Sequence, residues 1–390
     1  MHARFPHNRE RVVIQRKSFR RLKRMARAGL GMVRGMTVYP VAWLGVFRAR
    51  DDLAAAVSDL LLIGFVGASH RSASARLLAR QVRRGQVGSV FFVNHNVGTL
   101  DQVRDLVQMF RHANDPALIA IDQEGGVVQR LGKDHGFTRF HGHKRMAMLK
   151  TPDVARETYA AAGRELAAEG FTINMGPVLD VDDPGNPAVG KYGRAFDTDV
   201  ARVALYGDAF VRGFGEAGIL CAAKHFPGQG KAKSDSHDVP ADISGTWTED
   251  ELEPYGRLIA SGAAPDLVMM GHLRLDSVEE NGLPATVSKP IVTGLLRERL
   301  GYEGVIVTDD IDMGAVRASM HRKEAFIRAI MAGCDLIMIK NLFRYDPLLP
   351  DHAVGWVRAA IAEGRLTKAQ VMASAERVRA LKRKVARNRA

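Results

Sequence analysis

From residue 58 onward, short runs of β-branched and other apolar residues alternate with longer segments in which apolar positions recur at helical spacing. Eight such runs occur, at 60–67, 88–94, 118–122, 172–175, 219–225, 267–271, 304–309 and 336–340. Val90-Phe91-Phe92-Val93 and Val305-Ile306-Val307 are apolar without interruption, which suits strands covered on both faces rather than one. Helices must supply that cover. Thr151-Pro152-Asp153 offers an N-cap, an N1 proline and a first-turn acid, and Gly170 follows as a C′ residue, so 152–169 reads as one complete helix. Comparable segments lie near 71–84, 100–113, 199–217, 249–262, 290–300 and 322–332. The alternation predicts an α/β fold of the (β/α)₈ barrel type, a single catalytic domain over 51–390. Two more helical segments follow, 350–363 and 367–387, the last expected to present its basic residues to solvent.

Composition adds little until it is resolved along the chain. The 390 residues are 46% hydrophobic and 25% charged, and no apolar run approaches the roughly 20 residues of a membrane span. The net charge of +13 is unevenly placed: residues 1–50 hold 13 Lys/Arg against Glu10 alone, and 376–390 hold seven basic residues and one acid. The stretch between is mildly acidic, so nucleic acid is not an expected partner. Residues 1–50 therefore read as a basic N-terminal extension, either a tail or a targeting segment able to touch anionic lipid. The expected location is the cytoplasm, with export or membrane association through that extension as the alternative. Cys221 and Cys334 are isolated, which gives neither a disulfide framework nor a zinc-ribbon spacing.

A barrel places its active site at the C-terminal ends of its strands, and polar residues gather there. The third run ends in Asp122-Gln123-Glu124-Gly125-Gly126 with Arg130 beyond it, the fifth in Lys224-His225-Phe226-Pro227-Gly228, the sixth in Gly271-His272 and the seventh in Thr308-Asp309-Asp310. One aspartate at a strand end is ordinarily a helix N-cap; four polar ends in register are hard to explain that way. His225, His237 and His272 show no HExxH or related spacing, and no GxGxxG or GxxxxGK[ST] loop opens a helix, so neither a metal nor a nucleotide cofactor is expected.

The segments Asp122–Arg130, Asn174–Asp180, Lys224–Gly228, Asp235-Ser236-His237 and Thr308–Met313 together resemble glycoside hydrolase family 3, in order, over about 58–345. Within that family they are similar to the bacterial β-N-acetylglucosaminidases. The resemblance implies a retaining β-N-acetylhexosaminidase that releases terminal β-linked N-acetylglucosamine from a small glycoside or muropeptide of peptidoglycan turnover; the expected oligomeric state is a monomer. It places the nucleophile on Asp309, with Asp310 as the competing carboxylate, and sugar recognition on Asp122, Arg130, Arg194, Lys224 and His225. The acid/base role falls on His237 oriented by Asp235, where most retaining enzymes use a second carboxylic acid. An imidazole titrates near neutrality, and a neighbouring carboxylate fixes its tautomer and stabilises its cation.

The chain departs from the family pattern in the loop before His237. Gln229 stands where histidine is usual, Lys231 where an acid is usual and Ala232 where threonine is usual; Ala195 replaces a commoner serine. Lys231 inverts a local charge. These departures keep two alternatives open: another β-glycosidase or a phosphorylase on the same fold, since a histidine tolerates an incoming phosphate better than a carboxylate does, and a sugar-binding protein without turnover.

Overall fold

The computed structural model describes residues 51–115, 117–235 and 241–389. The basic extension expected at 1–50 lies outside the described residues, as does His237. Eight parallel strands, β1 (Leu61–Ile63), β2 (Ser89–Phe92), β3 (Leu118–Ile121), β4 (Ile173–Asn174), β5 (Leu220–Phe226), β6 (Leu267–Met270), β7 (Val305–Thr308) and β8 (Ile337–Ile339), form one sheet in the order β7-β6-β5-β4-β3-β2-β1-β8. Each apolar run of the sequence contributes one of them. The ring closes between β7 and β8, where Val307 bridges Leu336, the Thr308 amide donates to the Leu336 carbonyl at 3.0 Å, and the Met338 amide donates to Thr308 Oγ1 at 2.9 Å.

Helices α1 (Asp52–Asp59), α2 (Ala73–Arg83), α3 (Leu100–Ala113), α4 (Pro152–Glu169), α5 (Val200–Glu216), α6 (Glu253–Ala260), α7 (Arg322–Ala332) and α8 (Leu349–Ala362) supply apolar faces to the layer outside the strands. The α4 boundaries match the sequence signals: the Thr151 side chain accepts from the Val154 amide, and Gly170 closes the helix at φ +91°. The expected helix over 249–262 is instead two pieces, a 3₁₀ turn Glu249–Leu252 followed by α6. Pro254 accounts for the division, because it lacks the amide proton that a continuous helix would donate to the carbonyl of Asp250.

The final helix, α9 (Lys368–Arg389), corrects the expectation of a solvated basic end. Its Val378, Leu381 and Val385 join the barrel interior with Leu62, Leu118, Leu220, Leu267, Val305 and Leu336, which sit toward the N-terminal ends of the strands. The helix thus plugs the bottom of the barrel. Its cations are spent on acids around that rim: Arg379 and Lys382 on Asp59 (2.7 and 2.6 Å), Lys384 on Asp266 (2.5 Å) and Arg377 on buried Asp335 (3.1 Å). With one end sealed, ligands have the C-terminal end of the barrel. Among the described residues no helix is long and apolar enough to cross a membrane.

Candidate active site

At the C-terminal ends of the strands lies a cavity of about 500 Å³. Asp122, Arg130, Arg194, Lys224, His225 and Asp309 all line it, so residues from four separate stretches of the chain meet in one place.

One side is a charged network set by β3, β4 and β5. Gln123 prepares it: its amide donates to Asn174 Oδ1 at 3.0 Å, and its side chain exchanges two hydrogen bonds with the Leu131 backbone, fixing the reversal that carries Arg130. Gly125 makes that reversal possible at φ +98°, where a Cβ would lie 2.6 Å from the His141 carbonyl oxygen. Arg130 Nη2 and Lys224 Nζ each donate to Asp122 at 3.0 Å. Lys224 also meets Glu124 at 2.7 Å, and Arg194 grips Glu124 through two bonds of 2.9 and 2.8 Å. Burial would raise both carboxyls, but Lys224 and Arg130 hold Asp122 below its ordinary value, and Arg194 and Lys224 hold Glu124 well below. Burial likewise opposes the Lys224 ammonium, yet Asp122 and Glu124 outweigh it and raise its pKa. The network is therefore ionised, with acceptors and donors fixed in place, which suits the hydroxyl groups of a sugar.

Glu124 carries no role in the sequence reading, although it shares a strand face with Asp122 by the two-residue period. Asp180 is a second such residue. Its Oδ2 accepts from His225 Nδ1 at 2.7 Å, and its Oδ1 accepts from the His225 and Gln229 amides at 3.0 and 2.7 Å. A carboxylate can only accept here, so His225 carries a proton on Nδ1.

The opposite side is made by the segments after β7 and β8. Asp309 is half-buried at the end of β7; its amide donates to the Met270 carbonyl and its Oδ1 accepts from the Asp310 amide at 2.7 Å. Asp310 is buried, and its Oδ1 accepts from the amides of Asp312 and Lys340 at 3.1 and 3.0 Å. Burial raises the Asp310 carboxyl to about 6 despite Lys340 nearby. Both carboxylates line the cavity, and that of Asp310 also braces the backbone of two segments. His272 is structural: its ring nitrogens meet Thr286 Oγ1 and the Asp310 carbonyl at 2.7 and 2.9 Å.

The loop after β5 is anchored at its base. Asn186 Nδ2 donates to the carbonyls of Gln229 and Ala232 at 2.7 and 3.1 Å, and Gln229 is buried. The unusual Lys231 has partners, donating to Thr248 Oγ1 at 2.6 Å and lying 3.6 Å from the buried carboxylate of Glu251. Asp235 is half-buried at the end of the described part of this loop. Among the described residues no group of His, Cys, Asp and Glu has the arrangement of a metal site.

A closed parallel barrel with one end plugged and carboxylates, lysine, arginine and histidine converging at the other has the architecture of a barrel enzyme's active site. The chain belongs to glycosyl hydrolase family 3, whose N-terminal domain model matches residues 53–381. It is 34% identical to a β-hexosaminidase of Bordetella parapertussis over 77% of this chain and 83% of that one, and 33% identical to a β-hexosaminidase of Pseudomonas aeruginosa over 67% and 78%. A β-hexosaminidase A of Pseudoalteromonas piscicida is 30% identical over 79% of this chain, which spans only 55% of that protein. Among solved structures, a family 3 β-N-acetylglucosaminidase from Paenibacillus superposes with a TM-score of 0.77 at 34% identity, covering 87% of this chain and 63% of its own. A β-N-acetylhexosaminidase from Beutenbergia cavernae gives 0.76 at 28%, covering 86% and 99%.

Proposed function

We propose that this protein is a retaining β-N-acetylhexosaminidase that releases terminal β-linked N-acetylglucosamine, with peptidoglycan turnover fragments as its natural substrates. The observation that carries the reading is the division of labour at the cavity: an ionised donor and acceptor network opposite the strand-end pair Asp309 and Asp310, of which Asp309 is the more exposed. The relatives' activities point the same way. Asp309 attacks the anomeric carbon as the bond to the leaving oxygen breaks, and His237 gives that oxygen a proton. The resulting glycosyl ester is then opened by water, which surrenders a proton to the same imidazole. Asp235 keeps the imidazole's tautomer, while Asp122, Arg130, Arg194, Lys224 and His225 hold the sugar. Asp310 braces Asp309 and takes no part in bond making.

The test is product analysis with a chromogenic β-N-acetylglucosaminide, with and without phosphate. Free N-acetylglucosamine in both supports hydrolysis. Sugar 1-phosphate supports the phosphorylase alternative, and no turnover in either supports a binding protein.

A further inference from the structure

Phe343 is exposed at 67% while lining the same cavity as Asp309, an expensive place for an aromatic ring unless a partner covers it. The guanidinium of Arg317, which does not line the cavity, lies 4.6 Å from the ring centroid and covers one face. The exposure must then belong to the other face and the edge, and the cavity contact puts that face toward the site.

The segment that presents Phe343 is built, not loose. Asn341 adopts φ +54°, the left-handed region, alone among the described non-glycine residues. Its side chain accepts from the Asp346 amide at 2.9 Å and donates to the Asp346 carbonyl at 3.0 Å, closing the segment into a ring. Arg322 clamps it from beneath, donating to the Arg344 carbonyl at 2.9 Å while holding buried Asp312 through two 2.7 Å bonds. Cation stacking adds a further constraint on the ring itself. A rigid loop that holds an aromatic face in water is a surface prepared for an apolar or amphipathic partner.

Barrel order says what that partner is. The charged network stands on β3, β4 and β5; Phe343 follows β8, beside β7 and on the opposite side of the ring. Because Asp309 attacks one face of the anomeric carbon, the leaving group departs from the opposite face, away from the floor of the cavity and out through its mouth, where Phe343 stands exposed. We propose that Phe343, backed by Arg317, is the platform for the aglycone, and that the aglycone it selects is a second pyranose, whose axial C–H bonds meet the negative face of the ring. The inference rests on the proposed function, since it needs the scissile bond at Asp309. The leaving sugar is thereby oriented in the Michaelis complex, and the enzyme prefers a disaccharide or longer chain to a glycoside without a ring beyond the bond.

The experiment compares kcat/KM on N,N′-diacetylchitobiose and on methyl β-N-acetylglucosaminide for the full chain and for Phe343→Ala and Phe343→Trp. In Phe343→Ala the ratio of disaccharide to methyl glycoside falls about 10-fold, the scale of one aromatic stacking contact, and Phe343→Trp restores it. A ratio unchanged in Phe343→Ala overturns the platform while leaving the hydrolase reading intact. Failure of the wild-type chain on both substrates overturns the hydrolase reading, and the platform with it.

Discussion

Among single residues, Glu124 illustrates how the cavity is built. It is buried and gives its charge to Arg194 and Lys224 together, so the two cations depend on it for position as well as for solvation. Glu124→Gln keeps the shape and removes the charge, leaving Arg130, Lys224 and Arg194 with Asp122 as the one carboxylate of the network. The expected result is a loss of about 100-fold in kcat/KM, near 3 kcal/mol, the lower end of what breaking a buried ion pair costs. Steady-state kinetics on a chromogenic substrate reads it; an unchanged kcat/KM would mean that the network is scaffolding only. Asp122, Arg130, Lys224 and Asp309 were legible in the sequence because a barrel gives strand ends a meaning before any coordinates exist. Glu124 and Asp180 were not, because each acts through another side chain across the barrel, and pairings such as Glu124 with Arg194 leave no local spacing to read.

At the level of elements, the loop after β5 rests on Glu251. Burial, and then Asp180, push its carboxyl up to about 7, with Lys231 opposing. A carboxyl raised above its unfolded value binds its proton more tightly when folded, so its contribution to stability is greatest at low pH and is lost as pH rises from about 4.5 through 7. Glu251→Gln mimics the protonated form. The Tm of the wild type should match that of Glu251→Gln near pH 5 and fall below it by pH 8 in thermal melts; a wild-type Tm that rises relative to Glu251→Gln over that range would show that Lys231 holds the carboxylate ionised. Lys231 reads in the sequence as an inverted charge, and Glu251, twenty residues further on, gives that charge a partner.

For the whole molecule, the apolar alternation fixed the class of fold and the place of each strand, since eight buried runs separated by helical segments have few other ways to close. It said nothing about how the bottom of the barrel is sealed. The α9 pattern reads as basic because its cations pair with Asp59, Asp266 and Asp335, partners up to some three hundred residues away in sequence, while its three interior residues are a small minority of the helix. If α9 is the plug, Leu381→Ala should lower stability by about 2–5 kcal/mol, the range for truncating a buried leucine. Urea denaturation measures this, and a loss below about 0.5 kcal/mol, typical of a surface site, would remove α9 from the core.

The account turns on Asp309 as the atom donor in a covalent intermediate. The most direct measurement is mass spectrometry of the protein treated with a 2-acetamido-2-deoxy-5-fluoro glycosyl fluoride, followed by peptic digestion and fragmentation. The prediction is one glycosyl adduct on the peptide that contains Thr308-Asp309-Asp310, localised to Asp309. An adduct on Asp310, or sustained turnover with no adduct anywhere, would contradict it.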